Sequence, residues 1–95
     1  MKEIRTTAAF DAWLEGIRDD RAVARIQKRI DRAEEGNYGD HKRFSGLVEM
    51  RIDYGPGYRL YCVERKKILV IILAGGTKSH QAQDIKRALK MAETI

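Results

Sequence analysis

The stretch "VEMRIDYGPGYRLYCV", residues 48–63, decides the fold. Side chains alternate on both sides of a Gly-Pro-Gly turn. Before it, Val48, Met50, Ile52 and Tyr54 fall on one face, and Glu49, Arg51 and Asp53 on the other. After it, Tyr58, Leu60 and Cys62 oppose Arg59, Tyr61 and Val63. A period of two broken by a turn predicts a β-hairpin. Pro56 sets its own φ, and Gly55 and Gly57 admit positive φ. Such a hairpin brings Arg51 and Arg59 onto one face of neighbouring strands. Their side chains then lie about 5 Å apart if directly opposed and about 7 Å apart on the diagonal.

Outward from the hairpin, "ERKK" (64–67) predicts a second turn and "ILVIILA" (68–74) a strand covered on both faces. The result is a three-stranded meander, extended to four if residues 41–45 add a strand. "AGGTKSHQ" (74–81) ends it. Ile85, Ala88, Leu89 and Ala92 then mark a final helix with Ser79 as its expected cap. Toward the N-terminus, "KEIRT" (2–6) reads as an edge strand. Phe10, Trp13, Leu14 and Ile17 form one helical face, capped by Thr6 or Thr7, with Trp13 in the core. Asp19-Asp20 starts a second helix, with Val23, Ile26, Ile30 and Ala33 as its apolar stripe and Gly36-Asn37 as its stop. The expected order is β-α-α-β-β-β-α. This is an α+β domain over residues 1–95, with a helical hairpin and helices mainly on one face of an antiparallel sheet.

Composition narrows the function. The 95 residues suit one domain, and 43% hydrophobic with 35% charged residues argues against disorder. The net charge of +5 fits a polyanion or an acidic protein partner. Cys62 is the single cysteine and reads as a small core residue in a reducing compartment. The longest apolar run is too short to cross a bilayer, so a cytoplasmic protein without membrane contact is expected. There is no P-loop, HExxH, CxxC or GxSxG pattern, and two histidines with one cysteine do not suggest a zinc site. No metal and no cofactor are expected.

The chemistry then rests on cations. Arg51 and Arg59 repel unless an anion lies between them. Either Glu49 or Asp53 supplies that charge, or the pair clamps a phosphate, which a planar guanidinium does well. Lys42 and Arg43 precede the hairpin, and Lys78 and His80 follow the central strand, so all four are candidates for the same groove. Tyr61 is a candidate for stacking on a base, whereas Tyr58 points toward the helices. Arg21, Arg25, Lys28, Arg29 and Arg32 on the second helix read as a solvated face, with a docking surface for an acidic partner as the alternative. A cationic groove can cleave RNA without a metal. The ribose 2′-OH is the nucleophile, arginines stabilise the phosphorane charge, and a lysine or histidine moves protons.

"GLVEMRIDYGPGYRLY" (46–61) followed by "ILAGGTKSHQAQDIKRA" (72–88) resembles the RelE/ParE toxin superfamily, close to its HigB-like addiction-module killer proteins. The resemblance covers nearly the whole chain. It implies a RelE-like fold, with a helical hairpin, a curved antiparallel sheet and a C-terminal helix. It also implies the toxin of a type II toxin–antitoxin module, held inactive by a cognate antitoxin, typically of helix-turn-helix type. RelE-side members cut mRNA in the ribosomal A site, and DNA enters only through the antitoxin. ParE-side members inhibit DNA gyrase instead. A degenerate member acting only as a partner of its antitoxin is a third possibility. Under the resemblance, Arg59 matches a catalytic arginine, Lys78 a second basic residue after the central strand, and Arg51 a basic position in the preceding strand. His80 is a candidate for one member of the HigB histidine pair. Asp84 stands where RelE-type enzymes carry a tyrosine, and Glu49 where they carry a lysine.

Overall fold

The computed structural model describes residues 1–95. Its elements are β1 (Glu3–Thr6), α1 (Ala8–Glu15), α2 (Asp20–Glu34), β2 (His41–Phe44), β3 (Leu47–Ile52), β4 (Tyr58–Arg65), β5 (Leu69–Thr77), a 3-10 turn (Lys78–His80) and α3 (Gln81–Glu93). The expected hairpin is present as β3–β4, with Arg51 directly opposite Arg59 and Met50 opposite Leu60. Residues 41–44 do form a strand, so the meander has four members. The sheet order is β1-β5-β4-β3-β2.

Two expectations are corrected. The sheet is mixed, not antiparallel, because β1 lies parallel to β5, with Ile4 opposite Val70. A helix pair separates β1 from the meander, and such a crossover can return the chain in parallel, which a tight turn cannot. The helices also occupy both faces. Phe10 of α1 and Ala22, Ile26, Ile30 and Ala33 of α2 pack on Val48, Met50, Leu60, Cys62 and Ile72. Ala88 of α3, with Ile85 and Leu89, packs on Leu47, Tyr61, Val63 and Leu73. The alternation of apolar residues on both faces of β4 and β5 requires a cover on each side. A register shift after Tyr61 pairs Tyr61 with Ala74 but Cys62 with Ile72. Leu73 is the extra residue of this bulge, and it is buried against α3.

The caps follow their chemistry except at α3. Thr7 Oγ1 accepts from Phe10 N–H at 3.1 Å, and Asp19 Oδ1 accepts from Arg21 N–H at 2.9 Å. Ser79 does not cap α3. It lies inside the 3-10 turn, and the helix begins after His80 without a side-chain cap. Cys62 is fully buried, and burial pushes its thiol up to about 12, which suits an inert core residue.

One polar network reaches across the sheet, from Lys2 before β1 to Arg43 on β2. Glu64 on β4 accepts from Tyr38 O–H at 2.7 Å and pairs with Arg43 and, at 3.5 Å, with Lys2. Arg43 and Tyr38 hold the Glu64 carboxyl down at about 2, against 4.5 for a free glutamate. A depressed carboxyl pKa stabilises the fold above the unfolded value, and the benefit is lost as pH falls through the folded one. Glu64→Gln is therefore expected to cost on the order of 2 kcal/mol near neutral pH, after discounting for partial exposure. The gap between variant and wild type should close between about pH 4.5 and 2. Urea unfolding across that range measures it.

Candidate active site: a cationic pocket beside the β3–β4 turn

The turn sequence builds the site. Gly57 N–H donates to Tyr54 C=O at 3.0 Å, closing the turn. Gly57 C=O then accepts from Lys78 N–H at 2.8 Å, tying the turn to the end of β5. Gly57 has φ +79°, and a methyl there would sit 3.3 Å from Arg59 Nη1 and 3.4 Å from Lys78 Cβ. Glycine is required by the dihedral, and a methyl would also press on the Arg59 guanidinium. The Gly-Pro-Gly turn thus brings Lys78 to the two arginines, besides setting the hairpin register.

Arg51, Arg59 and Lys78 line one open pocket of about 360 Å³ together with Asp40, Asp53 and Gly57, with no apolar side chain among them. Arg51 Nη2 pairs with Asp40 Oδ1 at 2.8 Å. Arg59 has no carboxylate partner. Its one side-chain hydrogen bond, Nη1 to Tyr58 C=O, is 3.5 Å long, and its Nε is buried without a partner. A directly opposed arginine pair with one member unneutralised is electrostatically unfavourable by itself and receptive to an anion.

Of the two carboxylates considered for the arginines, Asp53 lines their pocket without forming a salt bridge, and Glu49 is not in the lining. Glu49 lies on their face of β3 but is buried beneath α3, where Gln81 Nε2 donates to it at 2.9 Å. Asp40, just before β2, pairs with Arg51 instead. Asp40 and Arg51 are held by Arg29 of α2, whose guanidinium donates to Arg51 C=O, to Tyr38 C=O at 2.7 Å and to Asp40 C=O at 2.9 Å. Burial lowers the Arg29 pKa, partly offset by Asp40. Arg29 is a half-buried positioning residue, not part of the solvated face. Its place next to Ile26 and Ile30 at the edge of the apolar stripe was the available signal.

The remaining sequence candidates do not join this pocket. Tyr61, expected to stack on a base, is fully buried under α3, because α3 covers the sheet face expected to be open. Burial first, then the Glu49 and Asp84 carboxylates, push its phenol well above the ordinary value. Arg43 points to the α1/α2 face, pairs with Glu64 and lies over the Tyr38 ring at 5.4 Å. It is engaged in the structural network and lines a different cavity, with Phe44, Leu47 and Glu64. Lys42 is exposed opposite Glu49, with its ammonium 5.9 Å from the Phe44 ring centroid.

His80 borders an adjoining pocket of about 320 Å³ with Trp13, Gly76, Thr77, Asp84 and Arg87. Its Nδ1 lies 3.1 Å from Ser79 Oγ and 3.4 Å from Thr77 Oγ1. Asp84 Oδ2 is buried there without a partner, and burial raises its carboxyl pKa. Gly75 and Gly76 make this junction possible. A methyl on Gly75 would overlap the Trp13 ring, with Cδ2 at 2.6 Å, and one on Gly76 would lie 2.7 Å from Asp84 Cγ. The two glycines are packing residues between α1 and α3.

No helix is long and apolar enough to cross a membrane. No family model matches the chain. An uncharacterized protein of Haemophilus influenzae is 46% identical over 94 residues, spanning 98% of this chain and 95% of the relative. Identity of that extent along both chains shows common descent, and the chain belongs to the family of that Haemophilus influenzae protein.

Proposed function

We propose that the protein is the toxin of a type II toxin–antitoxin module with a RelE-like fold, acting as a metal-independent, ribosome-dependent mRNA endonuclease. The supporting observation is the convergence of Arg51, Arg59 and Lys78 on one pocket without apolar lining. In the proposed reaction the ribose 2′-oxygen attacks the neighbouring phosphorus and the bond to the 5′-oxygen breaks. One proton leaves the 2′-OH and one arrives at the departing oxygen. Arg59, free of a carboxylate, takes the charge developing on the phosphorane, and Arg51 seconds it. Lys78 neutralises the substrate backbone, and proton transfer falls to Lys78 or to His80 across the adjoining pocket. A cognate antitoxin, of helix-turn-helix type, silences the toxin by covering or displacing this site, and is its link to DNA.

A ParE-like gyrase inhibitor is the second reading. It draws on Asp40 and Asp53, which line the pocket and offset its positive charge, as in a protein-binding patch. Two assays with purified components separate the readings. The toxin should cleave a reporter mRNA only with ribosomes present and leave gyrase supercoiling unaffected. Inhibited supercoiling with intact mRNA would reverse the choice.

A further inference from the structure

Helix α2 carries Arg21, Arg25, Lys28 and Arg32 at i, i+4, i+7 and i+11. At 1.5 Å per residue they form a row about 16 Å long. All four side chains are exposed. None belongs to any of the protein's salt bridges, which join Lys2–Glu64, Arg5–Glu3, Arg43–Glu64 and Arg51–Asp40. Like charges three or four residues apart destabilise a helix by a few tenths of a kcal/mol per pair, to about 0.5. No carboxylate pairs with any of the four within salt-bridge distance, although Asp53 borders the row.

The row is also shaped. The Arg25 guanidinium lies 4.5 Å from the Tyr54 ring centroid, and Tyr54 O–H donates to Asp19 at 3.2 Å, which fixes the ring. Two open clefts follow one another along the row. The first, about 390 Å³, is bordered by Arg21, Arg25 and Lys28, and the second, about 260 Å³, by Arg25, Lys28, Arg32 and Asp53. Asp53 also borders the Arg51/Arg59/Lys78 pocket, so row and pocket meet there. Arg29 of the same helix holds the Arg51 backbone.

We propose that the α2 row is a phosphate track for RNA, holding the strand that flanks the phosphate seated between Arg51, Arg59 and Lys78. The inference rests on the RNA-cleavage reading of that pocket. Charge complementarity selects the occupant. A protein interface centres on a desolvated core of aromatic or aliphatic anchors from which charge is depleted. The row offers spaced cations, and its one aromatic, the half-buried Tyr54, lies under the Arg25 guanidinium, an arrangement that suits a sugar–phosphate backbone.

The test is salt-dependent binding of a fluorescein-labelled 20-nucleotide RNA made uncleavable by 2′-O-methylation, followed by anisotropy. The variant is R21Q/R25Q/K28Q/R32Q. It is expected to bind at least ~10-fold more weakly, with a plot of log K against log salt shallower by about 3, four lost phosphate contacts at ~0.7 each. Arg59→Gln should lose less than about 1 of that slope. If the fourfold variant does not fold, R25Q/K28Q should still lose about 1.4. Unchanged affinity and slope would overturn the track. So would unchanged RNA binding with lost binding to polyglutamate, which would mark a protein-docking face. Tighter binding of single-stranded DNA of the same sequence, with the same slope loss, would overturn the assignment to RNA. A changed slope with no cleavage of any mRNA by wild type would leave the track standing and remove the reading of the pocket. Cleavage with an unchanged slope would do the reverse.

Discussion

Arg59→Gln is expected to reduce mRNA cleavage by on the order of 10²–10³-fold, the cost of removing one preorganised donor to a developing negative charge. Stability should stay equal or rise, by up to about 1 kcal/mol, because like charges directly opposite each other across two strands destabilise a sheet. Arg59 faces Arg51 in register and has no carboxylate partner. Removing it relieves a repulsion and breaks only a hydrogen bond 3.5 Å long. A residue that costs the fold something and whose loss silences the protein is the signature of a site retained for function. Equilibrium urea unfolding and cleavage rates on the same preparations measure both quantities. A large loss of stability would instead make Arg59 a structural residue.

Gly75→Ala is expected to cost about 2–4 kcal/mol, in the upper range for overpacking and buried-site changes. For a domain this small that lowers the melting temperature by roughly 10–25 °C. The Gly75 position on β5 faces the Trp13 ring, which is itself packed against Phe10 at 5.7 Å and Tyr58 at 6.0 Å between centroids. The indole can yield only toward the open pocket beside His80, at the expense of those ring contacts. Trp13→Leu should recover much of the loss, since a smaller side chain leaves room for the methyl. A double-mutant cycle by thermal denaturation would show a coupling of about 1–3 kcal/mol. Additive effects would mean the two residues are not in the tight contact described.

Much of this was legible in the sequence because alternation and turn chemistry are local. The β3–β4 hairpin, the doubly covered β5 and the Arg51–Arg59 juxtaposition follow from spacing alone, and the caps to within one residue, Thr7 of the Thr6-Thr7 pair and Asp19 of Asp19-Asp20. What failed depended on long-range packing. The parallel pairing of β1 carries no local mark, since a four-residue strand reads the same in either direction. The side of the sheet that α3 takes decides whether Tyr61 faces solvent or core, and the helix pattern does not state it. Asp40 and Arg29 were missed as site residues for the same reason. Their roles come from backbone groups and side chains that only the folded chain brings together.

In the proposed function, the turn at Gly57 assembles Arg51, Arg59 and Lys78 into a phosphate-binding site that cuts mRNA on the ribosome. The most direct measurement is primer extension on a reporter mRNA in a purified translation system, comparing wild type with Arg59→Gln and Lys78→Ala. Discrete cuts in phase with the reading frame, present only with ribosomes and lost in both variants, are the predicted result. Intact mRNA with wild-type protein, or identical cuts in the two variants, would contradict it.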